Sequence, residues 1–235
     1  MLFFNKLLYT SHKNVLFLLE VRFFSFKLFT MRLFLIVQII FLLTSSACKK
    51  ETPNFTIKGV IEDNSFDKGL NNATLELYEI EVGSKQSTFV SSTKTDVNGN
   101  YSFNFPRNKI EKYLITISKE NYFTTEHEIN FSSLTTNNDN IKNYVSNAKS
   151  WVNIHFNNID NDPSKTLEYG IEEGKTDCDE CCSSSRKVLT QITDTNVICI
   201  NDGNSNYSIL TITDTIKTFS INTIAFDTVQ LEIPF

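Results

Sequence analysis

Short runs in which apolar and polar residues alternate recur from Phe55 to Phe235, and a chain with this period has little choice but to form half-buried strands. FTIKGVI places Phe55, Ile57 and Ile61 on alternate positions. ATLEL (Ala73, Leu75, Leu77), YSFNF (Tyr101, Phe103, Phe105) and YLITI (Tyr113, Ile115, Ile117) repeat the pattern, and helical spacing is nowhere sustained. Turn chemistry separates these runs at residues 62–72 and at Asp96-Val97-Asn98-Gly99-Asn100. The period returns at Trp151, where Val152, Ile154 and Phe156 alternate with Asn153, His155 and Asn157, so His155 is expected to face solvent or an edge. It closes in DTVQLEIPF, whose Val229, Leu231, Ile233 and Phe235 require a buried face. Further strand-like runs lie at Val188–Thr193, Asn196–Ile200 and Tyr207–Thr213. The expectation is an all-β chain of two small antiparallel β-sandwich domains, 55–131 and 151–235. Between them, residues 132–150 are crowded with Asn, Thr and Ser, with Ile141 and Tyr144 as isolated apolar points, and read as a linker.

The first 47 of the 235 residues have a different character. They carry five basic side chains (Lys6, Lys13, Arg22, Lys27, Arg32) and one acid (Glu20), yet the whole chain has a formal charge of −5, so the remainder is strongly acidic. That sign excludes a nucleic-acid surface. Met31-Arg32, the apolar run Leu33–Leu43 broken only by Gln38, and the small residues Thr44-Ser45-Ser46-Ala47 have the outline of a signal peptide over 31–47. The run falls short of the roughly 20 apolar residues that a membrane-spanning helix needs. Residues 1–30 fit poorly ahead of such a signal because charges interrupt every apolar run, and translation is expected to start at Met31.

The small residues followed by Cys48 resemble the lipobox of bacterial lipoproteins. The resemblance implies removal of the signal, lipidation of Cys48, and a tether over 48–54. Membrane attachment would then run through several acyl chains, each contributing about 0.8 kcal/mol per buried CH₂. The implied location is the cell envelope, at the outer membrane, with the periplasmic and surface-facing leaflets both open. The order IKGVIED at Ile57–Asp63, LNNATLEL at Leu70–Leu77, TKTDVNGNYSF at Thr93–Phe103 and ISKENYF at Ile117–Phe123 resembles the carboxypeptidase regulatory-like domain. This likeness implies a transthyretin-like, Ig-like sandwich that acts as a non-catalytic accessory module. Asn121 stands where that family commonly has glycine, a position that suits asparagine if its backbone is left-handed.

Four cysteines follow the anchor: Cys178, Cys181, Cys182 and Cys199. In an oxidising compartment an even count reads first as disulfides. A ring between the adjacent Cys181 and Cys182 would be strained, so Cys199 pairs with one of them and Cys178 takes the other. A four-thiolate zinc site has the right ligand count at the same four cysteines. The flanking Asp177, Asp179 and Glu180 oppose thiolate formation and favour disulfides.

Asp96 and Asn98 lack the glycine and glutamate spacing of a calcium hand, and His127-Glu128 lacks the second histidine of a zinc-protease helix and reads as surface decoration. No nucleophile elbow, phosphate loop or dinucleotide turn appears, and no cofactor is expected. The function classes that remain are a structural or assembly module working through protein contacts, and a ligand-binding or adhesive module for which glycans are the leading ligand. For the second, Tyr122, Phe123 and Trp151 are the candidate exposed stacking aromatics. A glycoside hydrolase or other hydrolase is a third class, since carboxylate separations are not legible in a sequence.

Overall fold

The computed structural model describes residues 53–191 and 194–235. The signal segment, Cys48 and most of the tether lie outside the described residues. What is described is all-β, in two sandwiches that belong to one unit, Thr52–Phe235.

The first sandwich is built from β1 (Asn54–Asp63), β2 (Lys68–Gly69), β3 (Thr74–Ile80), β4 (Ser87–Lys94), β5 (Asn100–Pro106), β6 (Lys112–Ser118), β7 (Thr125–Asn130), β8 (Asn140–Ile141) and β9 (Tyr144–Ser146). One sheet runs β4-β3-β6-β7; the other centres on β1, flanked by β5 and β2 and, on its second side, by β8 and β9. The alternation read from the sequence is the burial pattern. Phe55, Ile57 and Ile61 of β1 face Leu75 and Leu77 of β3 and Tyr113, Ile115 and Ile117 of β6 in one core. Phe105 and Tyr113 meet edge to face with centroids 4.8 Å apart. Each of the larger side chains contributes about 2 kcal/mol by leaving water.

The turn after β4 shows why glycine is needed at its tip. Asp96 Oδ1 accepts the N–H groups of Asn98 (2.9 Å) and Asn100 (2.8 Å), which bends the chain back on itself. Gly99 has φ +80°, and a Cβ there would lie 2.3 Å from the carbonyl oxygen of Ile61. Asp96 is thereby held below the usual carboxylate range, chiefly by the Asn100 side chain. Asn121 adopts φ +62°, the left-handed conformation its position calls for.

The expected linker is not one. Within 132–150, β8 and β9 pair in parallel with β1, Ile57 opposite Asn140 and Ile61 opposite Tyr144, and complete the first sheet. Asn140 is buried and works as a splice: its Nδ2 donates to the carbonyls of Thr56 and Thr135 (both 2.9 Å), and its Oδ1 accepts the Thr135 N–H at 2.8 Å. These strands are held by backbone and amide bonds more than by apolar side chains, so their composition resembles that of a loop. The pairing is parallel where antiparallel neighbours were expected, and the same holds for one pair in the second sandwich.

That sandwich contains β10 (Lys149–Asn157), β11 (Thr166–Glu173), β12 (Lys187–Thr190), β13 (Asp194–Asp202), β14 (Asn206–Ile212), β15 (Ile216–Asn222) and β16 (Thr228–Pro234). A three-stranded sheet β13-β10-β16, with β16 parallel to β10, packs against the four-stranded sheet β12-β11-β14-β15. Val152, Ile154 and Phe156 are fully buried among Leu167, Tyr207, Ile209 and Ile233.

Candidate functional site

The residues proposed as ligand contacts lead to the seam between the sandwiches. Only Asn147 and Ala148 separate β9 from β10, and Ala148 is completely buried. Backbone bonds cross at this point in both directions. Phe123 N–H donates to Asn147 O (3.1 Å), Lys149 N–H to Asn121 O (2.8 Å), and Gly203 N–H to Ala148 O (2.7 Å). The turn before β16 joins them through Phe226 N–H to Lys149 O at 2.7 Å.

Tyr122 and Phe123 are therefore not exposed stacking platforms; they are 5% and 4% exposed and form part of this seam. The Tyr122 hydroxyl donates to Asp63 Oδ2 at 2.6 Å, and burial together with that carboxylate pushes its pKa well above the usual phenol range. Its ring tilts against Phe226, which stacks in turn on Phe66, centroids 5.5 and 5.7 Å apart. Phe123 lies beneath two cations from the second sandwich, with Lys149 Nζ 5.5 Å and Lys175 Nζ 5.0 Å from its centroid. Trp151 is elsewhere, half-buried on the outer face of the β13-β10-β16 sheet between Ile200 and Thr228. The three aromatics do not share one exposed surface.

The cysteines meet next to the seam. Cys178 bonds to Cys181 and Cys182 to Cys199, which is one of the two arrangements left open by the sequence. Cys199 is on the inward face of β13, whereas Cys182 belongs to the connection from β11 to β12 in the opposite sheet. The second bond thus ties the two sheets together. With all four sulfurs paired, the zinc alternative loses its thiolates, and among the described residues no cluster of His, Cys, Asp and Glu is arranged to hold a metal ion. Glu180, inside the cysteine loop, pairs with Lys149 at 2.6 Å, so the loop also braces the seam.

The histidines occupy contrasting places. His127 is not surface decoration: its ring stacks on Tyr144 at 4.1 Å, and burial lowers its pKa below 6.5. His155 faces away from the core as expected, but on a central strand and not an edge, with Nδ1 2.6 Å from Glu232 and Nε2 2.6 Å from Asp194. His127 Nε2 lies 3.2 Å from the Thr125 hydroxyl, beside the Tyr144 ring. A groove of about 480 Å³ runs past Lys165, Glu168, Val188, Asp214 and Phe235; Lys165 pairs with Asp160 and Glu168 with Arg186. Sequence reasoning missed the seam altogether. Its one local signal was the set of bulky or polar residues at turns, Asn121, Asn204 and Phe226, all of which take positive φ.

No family model and no curated protein matches the chain. Among solved structures, the Bacillus anthracis TIE protein aligns at 11% identity and TM-score 0.35, covering 77% of this chain and 34% of that one. A streptococcal ancillary pilin aligns at 12% identity and TM-score 0.36 over 78% of this chain and 63% of its own. The 3-chlorocatechol 1,2-dioxygenase of Rhodococcus opacus 1CP aligns at 10% and 0.31, over 43% and 62%. The chain spans less than two thirds of each of these proteins. At such scores the likenesses say nothing about function.

Proposed function

We propose that the chain is a non-catalytic, lipid-anchored module of the bacterial cell envelope that works through protein contacts, held at the outer membrane by acyl chains on Cys48. The observation that carries this reading is the seam. Two of the candidate ligand aromatics, Tyr122 and Phe123, together with Lys149 and Lys175, lock two sandwiches into one body, an arrangement suited to presenting or spacing surfaces and not to enclosing a substrate. A glycan-binding role keeps only Trp151 of its three candidate aromatics, which is why protein contact is preferred. The carboxypeptidase regulatory-like resemblance of the first sandwich points the same way, toward an accessory module.

The reading is tested in cells. Cells grown with an alkyne-tagged fatty acid are expected to label the wild-type chain and not Cys48→Ala; equal labelling of both removes the anchor. Cross-linking in intact cells is expected to give a discrete protein adduct. A chain that stays uncross-linked and is retained on a glycan array instead supports the adhesive alternative. Protease added to intact and lysed cells then assigns the leaflet.

A further inference from the structure

His155 sits in the middle of the three-stranded sheet with an acid on either side, one from each outer strand. Its register partners are Asn196 on β13 and Glu232 on β16, and Asp194 is two residues before Asn196. Both ring nitrogens are engaged, Nδ1 with Glu232 Oε2 and Nε2 with Asp194 Oδ1, each at 2.6 Å. A neutral imidazole has one N–H and one lone pair, so it satisfies one carboxylate and turns a lone pair toward the other. Only the imidazolium donates to both, through charge-assisted bonds.

We propose that Asp194, His155 and Glu232 form a proton-operated clasp that adds a side-chain tie from each outer strand of the β13-β10-β16 sheet to its centre and opens one of these ties when the imidazole loses a proton. Among the described residues, the charges acting on His155 come from these two carboxylates, and the row continues into the amides of Gln230 and Asn153. Gln230 Nε2 donates to Glu232 Oε1 at 3.1 Å, and Asn153 Nδ2 donates to Gln230 Oε1 at 2.7 Å. Glu232 therefore keeps a donor when His155 is neutral. The single remaining proton settles on Nε2, facing Asp194, and the contact that opens is the one to β16. In support, the Asp194 and Glu232 hydrogen bonds raise His155 above its ordinary 6.5. Gln230 first and His155 second hold Glu232 below its ordinary 4.5.

The clasp is independent of the anchoring and partner proposals. It is tested on the full chain in detergent micelles, with nitrogen-labelled histidine followed by NMR between about pH 4 and pH 9. The expected result is a His155 midpoint above 6.5 that moves down in both Asp194→Asn and Glu232→Gln. Above that midpoint, the Nε2-protonated tautomer is expected, with faster amide exchange in β16 than in β13. These three residues lie on the outer sheet face, so both variants keep the dispersed spectrum of the folded chain. A midpoint at or below 6.5, or one that only a single substitution moves, overturns the clasp and leaves an ordinary ion pair. His155→Gln supplies the control, in which the difference between β16 and β13 exchange no longer changes across that midpoint.

Discussion

Asn204 joins the second sandwich to Ser65 of the first: its Nδ2 donates to the Ser65 carbonyl at 2.8 Å while its Oδ1 accepts the Ala225 N–H at 3.0 Å. The residue has φ +56°, so one side chain bridges the sandwiches from a backbone conformation that most residues avoid. Asn204→Gly keeps the conformation and removes both bonds; Asn204→Ala removes the bonds and adds the strain. Thermal unfolding is expected to rank wild type above Gly above Ala, with Ala lower by about 2 to 3 kcal/mol in all. Equal stability of Gly and Ala would show that the left-handed backbone contributes nothing.

Gly59 is where β8 hands over to β9. A Cβ at this position would lie 1.7 Å from the carbonyl oxygen of Lys142, the same oxygen that accepts the Tyr101 hydroxyl at 2.7 Å. Gly59→Ala is expected to push residues 140–146 off β1 and cost about 3 kcal/mol or more. Limited proteolysis reads this out as new cleavage within 132–147. Wild-type resistance in the variant would mean that the crossing segment yields without leaving the sheet.

The two disulfides are predicted to differ in their effect on stability. The Cys182–Cys199 bond spans a sequence separation of 17 and joins opposite sheets. In the chain-entropy model it contributes about 3 kcal/mol, and Cys178–Cys181, with a separation of 3, roughly half of that. Replacing each pair by alanine and comparing denaturant midpoints checks the order. A larger loss from the Cys178/Cys181 pair would mean that the loop's brace on Lys149 outweighs the tie between the sheets.

The two described histidines should give stability profiles of opposite sign. His155 is raised, so its contribution is complete below pH 6.5 and fades as pH rises through its folded midpoint. Glu232 is lowered, so its share is complete above pH 4.5 and fades as pH falls through its own. Their contact is therefore strongest between these values. His127 is lowered by burial, so its contribution is complete above pH 6.5 and is lost as pH falls through its depressed midpoint. Tyr144→Ala, which uncovers the ring, is expected to bring the His127 midpoint back up and flatten that part of the profile. Histidine proton shifts measured against pH report both sites separately.

Much of the fold was legible because burial writes a period of two into a strand. Every apolar residue singled out in FTIKGVI, ATLEL, YSFNF and YLITI is in the first core, and Val229, Leu231 and Ile233 are in the second. Outer strands were harder to see: β4 (STFVSSTK) and β15 (IKTFSIN) have one free edge and much solvent exposure, so little selects for alternation. The seam was illegible for a different reason. Tyr122 and Phe123 look like surface aromatics after a turn, and only the return of Asn147, Lys149 and Lys175 from distant parts of the sequence covers them.

Both sandwiches close in the same way. The strand that opens each, β1 and β10, ends up in the interior of its sheet, and its second neighbour comes from the far end of the same sandwich: residues 140–146 for β1 and 228–234 for β10. Synthesis delivers a chain from its amino end, so neither sheet can be completed until the whole of its sandwich has emerged. An incomplete chain offers β10 with one bare flank and a core lacking Val229, Leu231 and Ile233. Such distant pairings carry a loop-closure cost that slows folding. Each half of the molecule therefore lacks one flank of its opening strand until its last segment has been made.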